Sequence, residues 1–136
     1  MQDCIFCKII AGEIPSYRVY EDDGVLAFLD ITPVNPGHTL IVPKKHYANL
    51  LDLPEAEASQ LIATIKKITP AILAGVGAID FNLELNNGPL AGQVVNHCHW
   101  HIVPRFAADG RELWKGNQYG EGEAEKVLEK IKSNLI

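Results

Sequence analysis

Residues 96–105, NHCHWHIVPR, carry three of the five histidines of this chain at alternate positions: His97, His99 and His101. Apolar residues flank the row, and alternation with a period of two predicts a β-strand, which we place at residues 94–104. Because successive side chains of a strand point to opposite faces, the three imidazoles would share one face of a sheet and the residues between them would share the other.

Four further strands are predicted outward from this one. They are YRVYE (17–21), VLAFLD (25–30), HTLIVP (38–43) and FNLEL (81–85). The first two read as a hairpin joined at DDG, and a loop rich in proline and glycine leads into the third. Hairpin-length connections dominate over crossovers, so the sheet should be mostly antiparallel.

Three helices are predicted beside the sheet. CIFCKII (4–10) is a short one. A long helix is marked by apolar residues with the spacing of one buried face: Leu61, Ile65, Ile68 and Ile72. Asp52 followed by Glu55 resembles its capped start, and Pro70 should kink or end it. A last helix carries an apolar stripe near the end of the chain: Val127, Leu128, Ile131 and Leu135. The predicted fold class is α+β, a five-stranded sheet with one long helix and shorter terminal helices.

Composition and charge exclude several classes of function. The 136 residues fit one domain, and a content of 47% hydrophobic and 21% charged residues is typical of a soluble globular protein. A net charge of −5 without a basic stripe argues against a nucleic acid polymer as partner. The longest apolar run, residues 71–79, is too short to span a bilayer, and the charged N-terminus does not resemble a signal peptide. We therefore predict a cytoplasmic protein without membrane contact.

The histidine row allows three interpretations. A solvated strand face is the usual place for a lone histidine, but three at period two on an apolar strand argue against it. A metal centre with all three histidines as ligands would require a strained geometry, because the Cα atoms of His97 and His101 would lie about 13 Å apart along a strand. Neutral imidazole can attack phosphorus and carry protons, so the row favours phosphoryl or nucleotidyl transfer. Gly92 and Gln93 of NNGPLAGQ (86–93) could aim donors at phosphate oxygens, or could simply form a turn.

The stretch HCHWHIV fits the histidine triad pattern, and the chain resembles the nucleotide-binding histidine triad (HIT) proteins of the Hint type along nearly its whole length. Three other segments support the resemblance in the family's order: IFCKIIAGEIP, YEDDGVLAFLDITPVNPGHTLIVPKKH and LNNGPLAGQ. It weakens after Arg105. The expected organisation is a single HIT domain over residues 1–136, in which residues 107–136 form a C-terminal extension like that of some prokaryotic members.

The resemblance implies a homodimer with one continuous sheet, whose protomers bind a purine nucleotide such as AMP and hydrolyse its conjugates at the α-phosphate. His99 would attack phosphorus and form a nucleotidyl-histidine intermediate that water resolves. His101 would contact the phosphate and handle protons. His97 and the upstream His38 would orient the row.

Binding roles follow from the same resemblance. Gln93 and the backbone around Gly92 and Val94 would hold phosphate oxygens, Asp30 would accept from the ribose hydroxyls, and Asn86 would lie near the sugar and phosphate. Apolar side chains would wall the base: Phe6, Ile9, Phe28, Leu29 and Ile31. Each has a plainer interpretation, since Asp30 could start a turn and the apolar residues could be core. Val94 stands where the family usually has Ser or Thr, which keeps open a nucleotide-binding regulatory or partner-binding module with little turnover.

The Cys-x-x-Cys motif near the start of the chain is the remaining signal. Cys4 and Cys7 could be small buried hydrophobes, or could join two histidines in a zinc set. In a subset of HIT proteins the corresponding cysteines bind zinc with the histidine of PKKH and the first triad histidine, here His46 and His97. The resemblance thus implies a structural zinc, from which Cys98 is excluded, and no organic cofactor.

Overall fold

The computed structural model describes residues 3–135, so residues 1, 2 and 136 of the predicted domain lie outside the described residues. The helices are α1 (Ile5–Ile10), α2 (Glu55–Val76) and α3 (Glu123–Ser133), and the strands are β1 (Arg18–Glu21), β2 (Val25–Leu29), β3 (Thr39–Pro43), β4 (Asp80–Leu85) and β5 (Trp100–Arg105). Two short 3-10 helices cover Leu50–Asp52 and Pro89–Ala91. The predicted α+β class is confirmed.

The five strands form one antiparallel sheet in the order β1-β2-β3-β5-β4. The β1-β2 pair is the predicted hairpin. β5 lies between β3 and β4, and Leu40 of β3 is the register partner of His101. The histidine stretch therefore enters the sheet next to its centre, where both neighbours hold it in place.

Each face of the sheet carries its own apolar cluster. On one face, α2 packs the predicted residues Leu61, Ile65, Ile68 and Ile72 against a cluster that includes Cys98 and Ile102. On the other face, α1 packs Phe6 and Ile9 against a second cluster: Leu26, Phe28, Leu40 and Val42. Because Leu40 pairs with His101, the cluster under α1 lies on the same face as that imidazole.

One prediction about α2 is wrong: Asp52 does not cap it, because Asp52 belongs to a separate 3-10 helix and Pro54 stands at the N-cap without a side-chain bond. Of the two effects predicted for Pro70, the end of the helix does not occur, since the helix continues to Val76, and the kink stays a prediction. A proline inside a helix costs one backbone hydrogen bond, and here both Pro70 and the residue four before it are exposed, so water can reach the freed carbonyl.

The triad strand is shorter than predicted, because β5 begins at Trp100 and not at residue 94. Upstream of Trp100 the chain takes other partners, which stops the ladder. The Cys98 N–H donates to the Tyr47 carbonyl at 2.7 Å, and the His97 ring donates to the Pro43 carbonyl at 2.8 Å. The alternation of faces nevertheless holds, since Cys98, on the α2 side, and His97, beside Phe6 on the α1 side, lie on opposite faces.

The end of the chain is helical as predicted, but its apolar stripe is not packed. Within α3, Leu128 is 50% exposed and Ile131 is 55% exposed. The 17 residues before α3, 106–122, contain no helix or strand. Among residues 3–135 no helix is both long enough and apolar enough to cross a membrane.

Candidate active site

A cavity of about 490 Å³ opens between α1, the end of β2 and the triad stretch. Eleven of the twelve predicted nucleotide-binding residues line it: Phe6, Ile9, Phe28, Leu29, Asp30, Ile31, Asn86, Gly92, Val94, His99 and His101. Apolar side chains line much of the cavity, whereas the imidazoles, Asp30 and Asn86 supply polar groups. A long apolar slot with a few polar groups is suited to a flat heteroaromatic ring joined to a polar tail.

His99 presents one free ring nitrogen. Its Nδ1 lies 2.7 Å from the His97 carbonyl, and since a carbonyl can only accept, Nδ1 carries the proton. In neutral His99 the lone pair is then on Nε2. Phe6 packs edge-on against the ring with centroids 4.9 Å apart and holds its orientation. The ring is therefore held with a nitrogen lone pair available at the cavity, which is the arrangement that a nucleophile requires.

His101 and His38 form a pair behind His99. The Val34 N–H donates to His38 Nδ1 at 3.0 Å, so neutral His38 carries its proton on Nε2. That Nε2–H donates to His101 Nδ1 at 2.9 Å, which leaves the His101 proton on Nε2. His101 lines the cavity and His38, 4% exposed, does not. Substrate would thus meet a hydrogen-bond donor at His101 and a lone pair at His99.

His97 turns away from the cavity and is fully buried. Its Nε2–H donates to the Pro43 carbonyl, so its Nδ1 lone pair faces Cys4 Sγ at 3.4 Å and Cys7 Sγ at 3.6 Å. His46 Nδ1 lies 3.4 Å from Cys7 Sγ. The triad therefore does not converge on one metal ion, because His97, His99 and His101 each face a different partner.

Cys4, Cys7, His46 and His97 fit a tetrahedral zinc ion. Their ligand atoms all lie within 4.8 Å of one another, and ordinary zinc bond lengths place sulfur and nitrogen ligands about 3.6 Å apart. The Cys7 N–H donates to Cys4 Sγ, which is an interaction that stabilises a thiolate. Burial and the neighbouring Cys4 raise the pKa of the Cys7 thiol to about 11, so a bound metal would displace its proton.

A family model described as the HIT domain matches residues 11–108, well over half of the chain. The chain belongs to the HIT family. A HIT-like protein of Methanocaldococcus jannaschii is 50% identical over 129 residues, which are 95% of this chain and 98% of that protein. The crystal structure of a HIT family protein from Bacillus subtilis is 42% identical and covers 98% of both chains with a TM-score of 0.88. The membership inferred from the triad is confirmed.

Two further HIT proteins have names that state an activity or a ligand. The adenosine 5′-monophosphoramidase of Schizosaccharomyces pombe is 42% identical over 102 residues, which are 75% of this chain and 74% of that enzyme. A Zn-bound histidine triad family protein from Mycobacterium smegmatis is 34% identical, and its crystal structure covers 97% of both chains with a TM-score of 0.77. Members of the HIT family thus include a nucleotide hydrolase and a zinc protein.

Gln93 is the one predicted nucleotide-binding residue of this HIT chain that does not line the cavity. Its Oε1 accepts from the Gly88 N–H at 2.8 Å, and its Nε2 donates to the carbonyls of Ala48 and Val95 at 2.6 and 3.1 Å. The amide therefore braces the loop in front of the triad. Gly92, at φ +93°, belongs to the same loop and adopts a backbone conformation that favours glycine.

Asp30 is one of the polar residues that line the HIT cavity. Its Oδ1 accepts from the N–H and the hydroxyl of Thr32 at 2.8 and 3.1 Å, so the turn predicted as the plainer alternative is present. Its Oδ2 lies 3.7 Å from His38 Nε2, outside hydrogen-bond range. One carboxylate oxygen of Asp30 is thus held by the turn while the other keeps capacity to accept.

Sequence reasoning missed several residues of the HIT cavity and its surroundings. Ser16 lines the cavity, and its buried Oγ has no hydrogen-bond partner among the described residues. Leu40 lines it as the register partner of His101. Asn35 donates to Asp109 at 3.0 Å, and neither residue lines the cavity. No local pattern marks these residues, because their role depends on segments far apart in the chain.

The imidazoles of the HIT site are held neutral by burial. Burial lowers the pKa of His99 and of His38. Burial, with the neighbouring His99 and His38, lowers the pKa of His101 to about 4. All three rings are therefore uncharged near pH 7, which is the state that the hydrogen bonds above require.

Unfolding should become easier in acid partly because of His101. A folded-state pKa of about 4, against 6.5 for the unfolded chain, means that the unfolded chain binds more protons between these values, so stability falls as the pH drops through this window. Between pH 7 and pH 4.5 the free energy of unfolding, measured with urea, should fall by about 2 kcal/mol more in wild type than in His101→Gln, because the variant has no titrating ring at position 101. Equal losses in the two proteins would contradict this expectation.

Proposed function

We propose that this HIT protein is a purine nucleotide-binding hydrolase that cleaves nucleoside phosphoramidates or dinucleoside polyphosphates at the α-phosphate. One observation carries the proposal: the lone pair of His99 and the N–H of His101 line the same apolar cavity, with ring centroids 5.0 Å apart. A nucleophile and a donor at this spacing can both reach one phosphoryl group. The relative named adenosine 5′-monophosphoramidase supports the substrate class.

In the first step, His99 Nε2 attacks the α-phosphorus and a phosphorus–nitrogen bond forms. The bond from phosphorus to the leaving amine or phosphate breaks with its electron pair, which stays with the leaving group, and a leaving amine takes its proton from water. Neutral His101 keeps its Nε2–H and donates it as a hydrogen bond to a phosphate oxygen, which stabilises the negative charge there in the transition state.

In the second step, water attacks the same phosphorus and displaces His99. The phosphorus–nitrogen bond breaks with its electron pair, so His99 regains its lone pair on Nε2, and the proton of the attacking water passes to solvent as the monophosphate forms. His38 does not touch substrate in this scheme, since its Nε2–H holds the ring of His101 in position. Asp30 Oδ2 is available to ribose hydroxyls, and the apolar wall holds the purine.

A nucleotide-binding regulatory module is the second candidate. Val94 is 92% exposed and lines the cavity, but it has no hydroxyl to donate to a phosphate or leaving group. Slow or absent turnover with intact binding would follow if that donor is required. The two candidates share the same cavity and differ only in what happens after binding.

We further propose that Cys4, Cys7, His46 and His97 hold a structural zinc ion in this protein. Four protein ligands leave no position for water, so the ion would act on folding and not on the reaction. It would also fix the ring of His97, whose carbonyl accepts from the nucleophile His99. The Zn-bound relative from Mycobacterium smegmatis supports this assignment.

A homodimer and a cytoplasmic location stay predictions. β4 is an edge strand of the sheet with Phe81 and Leu83 about 40% exposed, which supports pairing between two copies of the chain. The single-domain organisation, with residues 107–136 as an extension, likewise stays a proposal.

The test of the proposed function is incubation of purified protein with adenosine 5′-phosphoramidate and, separately, with a dinucleoside polyphosphate. We expect AMP release at least about 10⁶-fold faster than without enzyme. Added AMP should inhibit turnover competitively, because product and substrate share one cavity. Calorimetric binding of AMP without its release from either substrate would favour the regulatory module, and neither binding nor turnover would contradict both candidates.

A further inference from the structure

A buried carboxylate next to the end of β5 gathers five hydrogen bonds. Asp109 accepts from Arg105 Nε and Nη2 at 2.8 and 2.9 Å, from Asn35 Nδ2 at 3.0 Å, and from the N–H groups of Phe106 and Arg111 at 3.1 and 3.0 Å. The Asp109 side chain is 8% exposed. The Arg105 guanidinium and these donors hold the pKa of its carboxyl far below the usual range. The carboxylate is thus the centre of a rigid cluster.

The cluster holds the loop that precedes His38. Asn35, 8% exposed, also donates from Nδ2 to the Pro104 carbonyl of β5 at 2.9 Å, and its own carbonyl accepts from the His38 N–H at 3.1 Å. Arg111 donates from Nη2 to the Val34 carbonyl at 2.6 Å. The backbone of Val34 is therefore held on its carbonyl side by Arg111 and meets His38 on its N–H side.

The direction of the Val34 N–H determines where two protons sit. With this donor at His38 Nδ1, the proton of neutral His38 must be on Nε2, and His101 must keep its own proton on Nε2. If Val34 turned away, both rings could adopt the opposite tautomer while still bonding each other. His101 would then present a lone pair to the phosphate oxygens, which would repel them.

We propose that Asn35, Asp109 and Arg111 are positioning residues that set the tautomers of His38 and His101 by holding the Val34 backbone. Asp109 and Arg111 lie beyond the residues that the HIT domain model matches, 11–108. None of the three lines the cavity, so their effect passes through the histidine pair. The inference rests on the proposed function only where it assigns His101 a donor role, since the tautomers can be measured without turnover.

The test is nitrogen NMR of the histidine rings at pH 7 in ligand-free wild type, Arg111→Ala and Asp109→Asn. Ring nitrogens that carry a proton differ strongly in chemical shift from those that do not, so tautomers are read directly. Wild type should show Nε2–H at both His38 and His101. Each variant should show a raised fraction of Nδ1–H in this pair, and Arg111→Lys should restore the wild-type pattern in part.

Turnover of adenosine 5′-phosphoramidate is the second readout. We expect kcat to fall about tenfold in Arg111→Ala, the scale of losing one charged hydrogen bond, with KM little changed. Lys67→Ala is the matched control, because it removes an exposed cation that contacts Tyr20 and that forms no hydrogen bond or ion pair with Val34, Asn35, Asp109 or Arg111. This variant should keep the wild-type tautomers and the wild-type kcat. Thermal unfolding identifies any variant that fails to fold, and Arg111, being exposed, is the more tolerant position.

Unchanged tautomers in folded Arg111→Ala and Asp109→Asn would overturn the inference, even if kcat fell. So would Nδ1–H at His101 in wild type. If wild type shows no turnover at all, the proposed function fails while the nitrogen shifts still decide the positioning role. A tautomer change in both variants together with a lower kcat would support the positioning role and the proposed function.

Discussion

Replacing His99 by alanine is expected to lower kcat for adenosine 5′-phosphoramidate by about 10⁴-fold or more, the scale seen when a nucleophile is removed from a cooperating set. His99 is the one triad ring whose Nε2 lone pair is free at the cavity, because its Nδ1–H is bound to the His97 carbonyl. Without it no nucleotidyl-enzyme bond can form. The measurement is steady-state AMP release by the two proteins.

Trp100→Phe is the matched control for His99→Ala. Trp100 is the next residue along the chain, but it packs on the α2 side of the sheet, and its indole N–H has no partner among the described residues. We expect the kcat of Trp100→Phe to stay within a few-fold of the wild-type value. Wild type quenched during turnover should also show an intact-mass adduct of one nucleotidyl group, which His99→Ala lacks. Retention of more than about a tenth of wild-type kcat by His99→Ala would refute the nucleophile assignment.

Replacing Cys7 by serine is expected to abolish stoichiometric zinc binding and to lower Tm by about 10–20 °C. Zinc at about 1,000 times its Kd would stabilise the folded chain by about 4 kcal/mol, and for a chain of this size each kcal/mol shifts Tm by about 3–5 °C. Cys7 Sγ is the ligand atom that approaches both His46 and His97. Metal analysis of purified protein and thermal unfolding with and without EDTA measure both effects.

Cys98→Ala separates loss of metal from loss of a buried sulfur. Cys98 is fully buried in the cluster under α2, on the face away from the other two cysteines, so this variant should be less stable yet keep one zinc ion per chain. EDTA should lower the Tm of wild type and of Cys98→Ala by similar amounts, and it should not change the Tm of Cys7→Ser. Zinc retained at one ion per chain by Cys7→Ser would rule out the proposed ligand set.

The predictions that succeeded depended on local patterns. The buried stripe of α2 at Leu61, Ile65, Ile68 and Ile72 could be read from helical spacing alone, and the hairpin could be read from alternation around a turn. The predictions that failed concerned element ends. Asp52 resembled a cap for α2 but lies in a separate 3-10 helix. β5 starts later than its alternating pattern predicted, because the residues before Trp100 form hydrogen bonds outside the sheet.

At the candidate site, the structure brings eleven of the twelve predicted nucleotide-binding residues together at one cavity, and their roles stay predictions. The role assigned to Gln93 stays a prediction, and its amide is occupied by the backbone of Gly88, Ala48 and Val95. The apolar stripe of α3 predicted a helix correctly but not whether anything packs on it, because periodicity reports amphipathicity and not the partner.

By itself the sequence determined the fold class and the face on which the imidazoles lie, because strand alternation and helical spacing act over a few residues. The family followed from the resemblance of the triad segment to the HIT pattern. Only the tertiary structure decided what each imidazole contacts. His97 turns to Cys4, 93 positions away, and His101 meets His38, 63 positions away. The proton positions on His99 and His101 follow from carbonyl and N–H groups whose placement depends on the packed sheet, so no local pattern could have specified them.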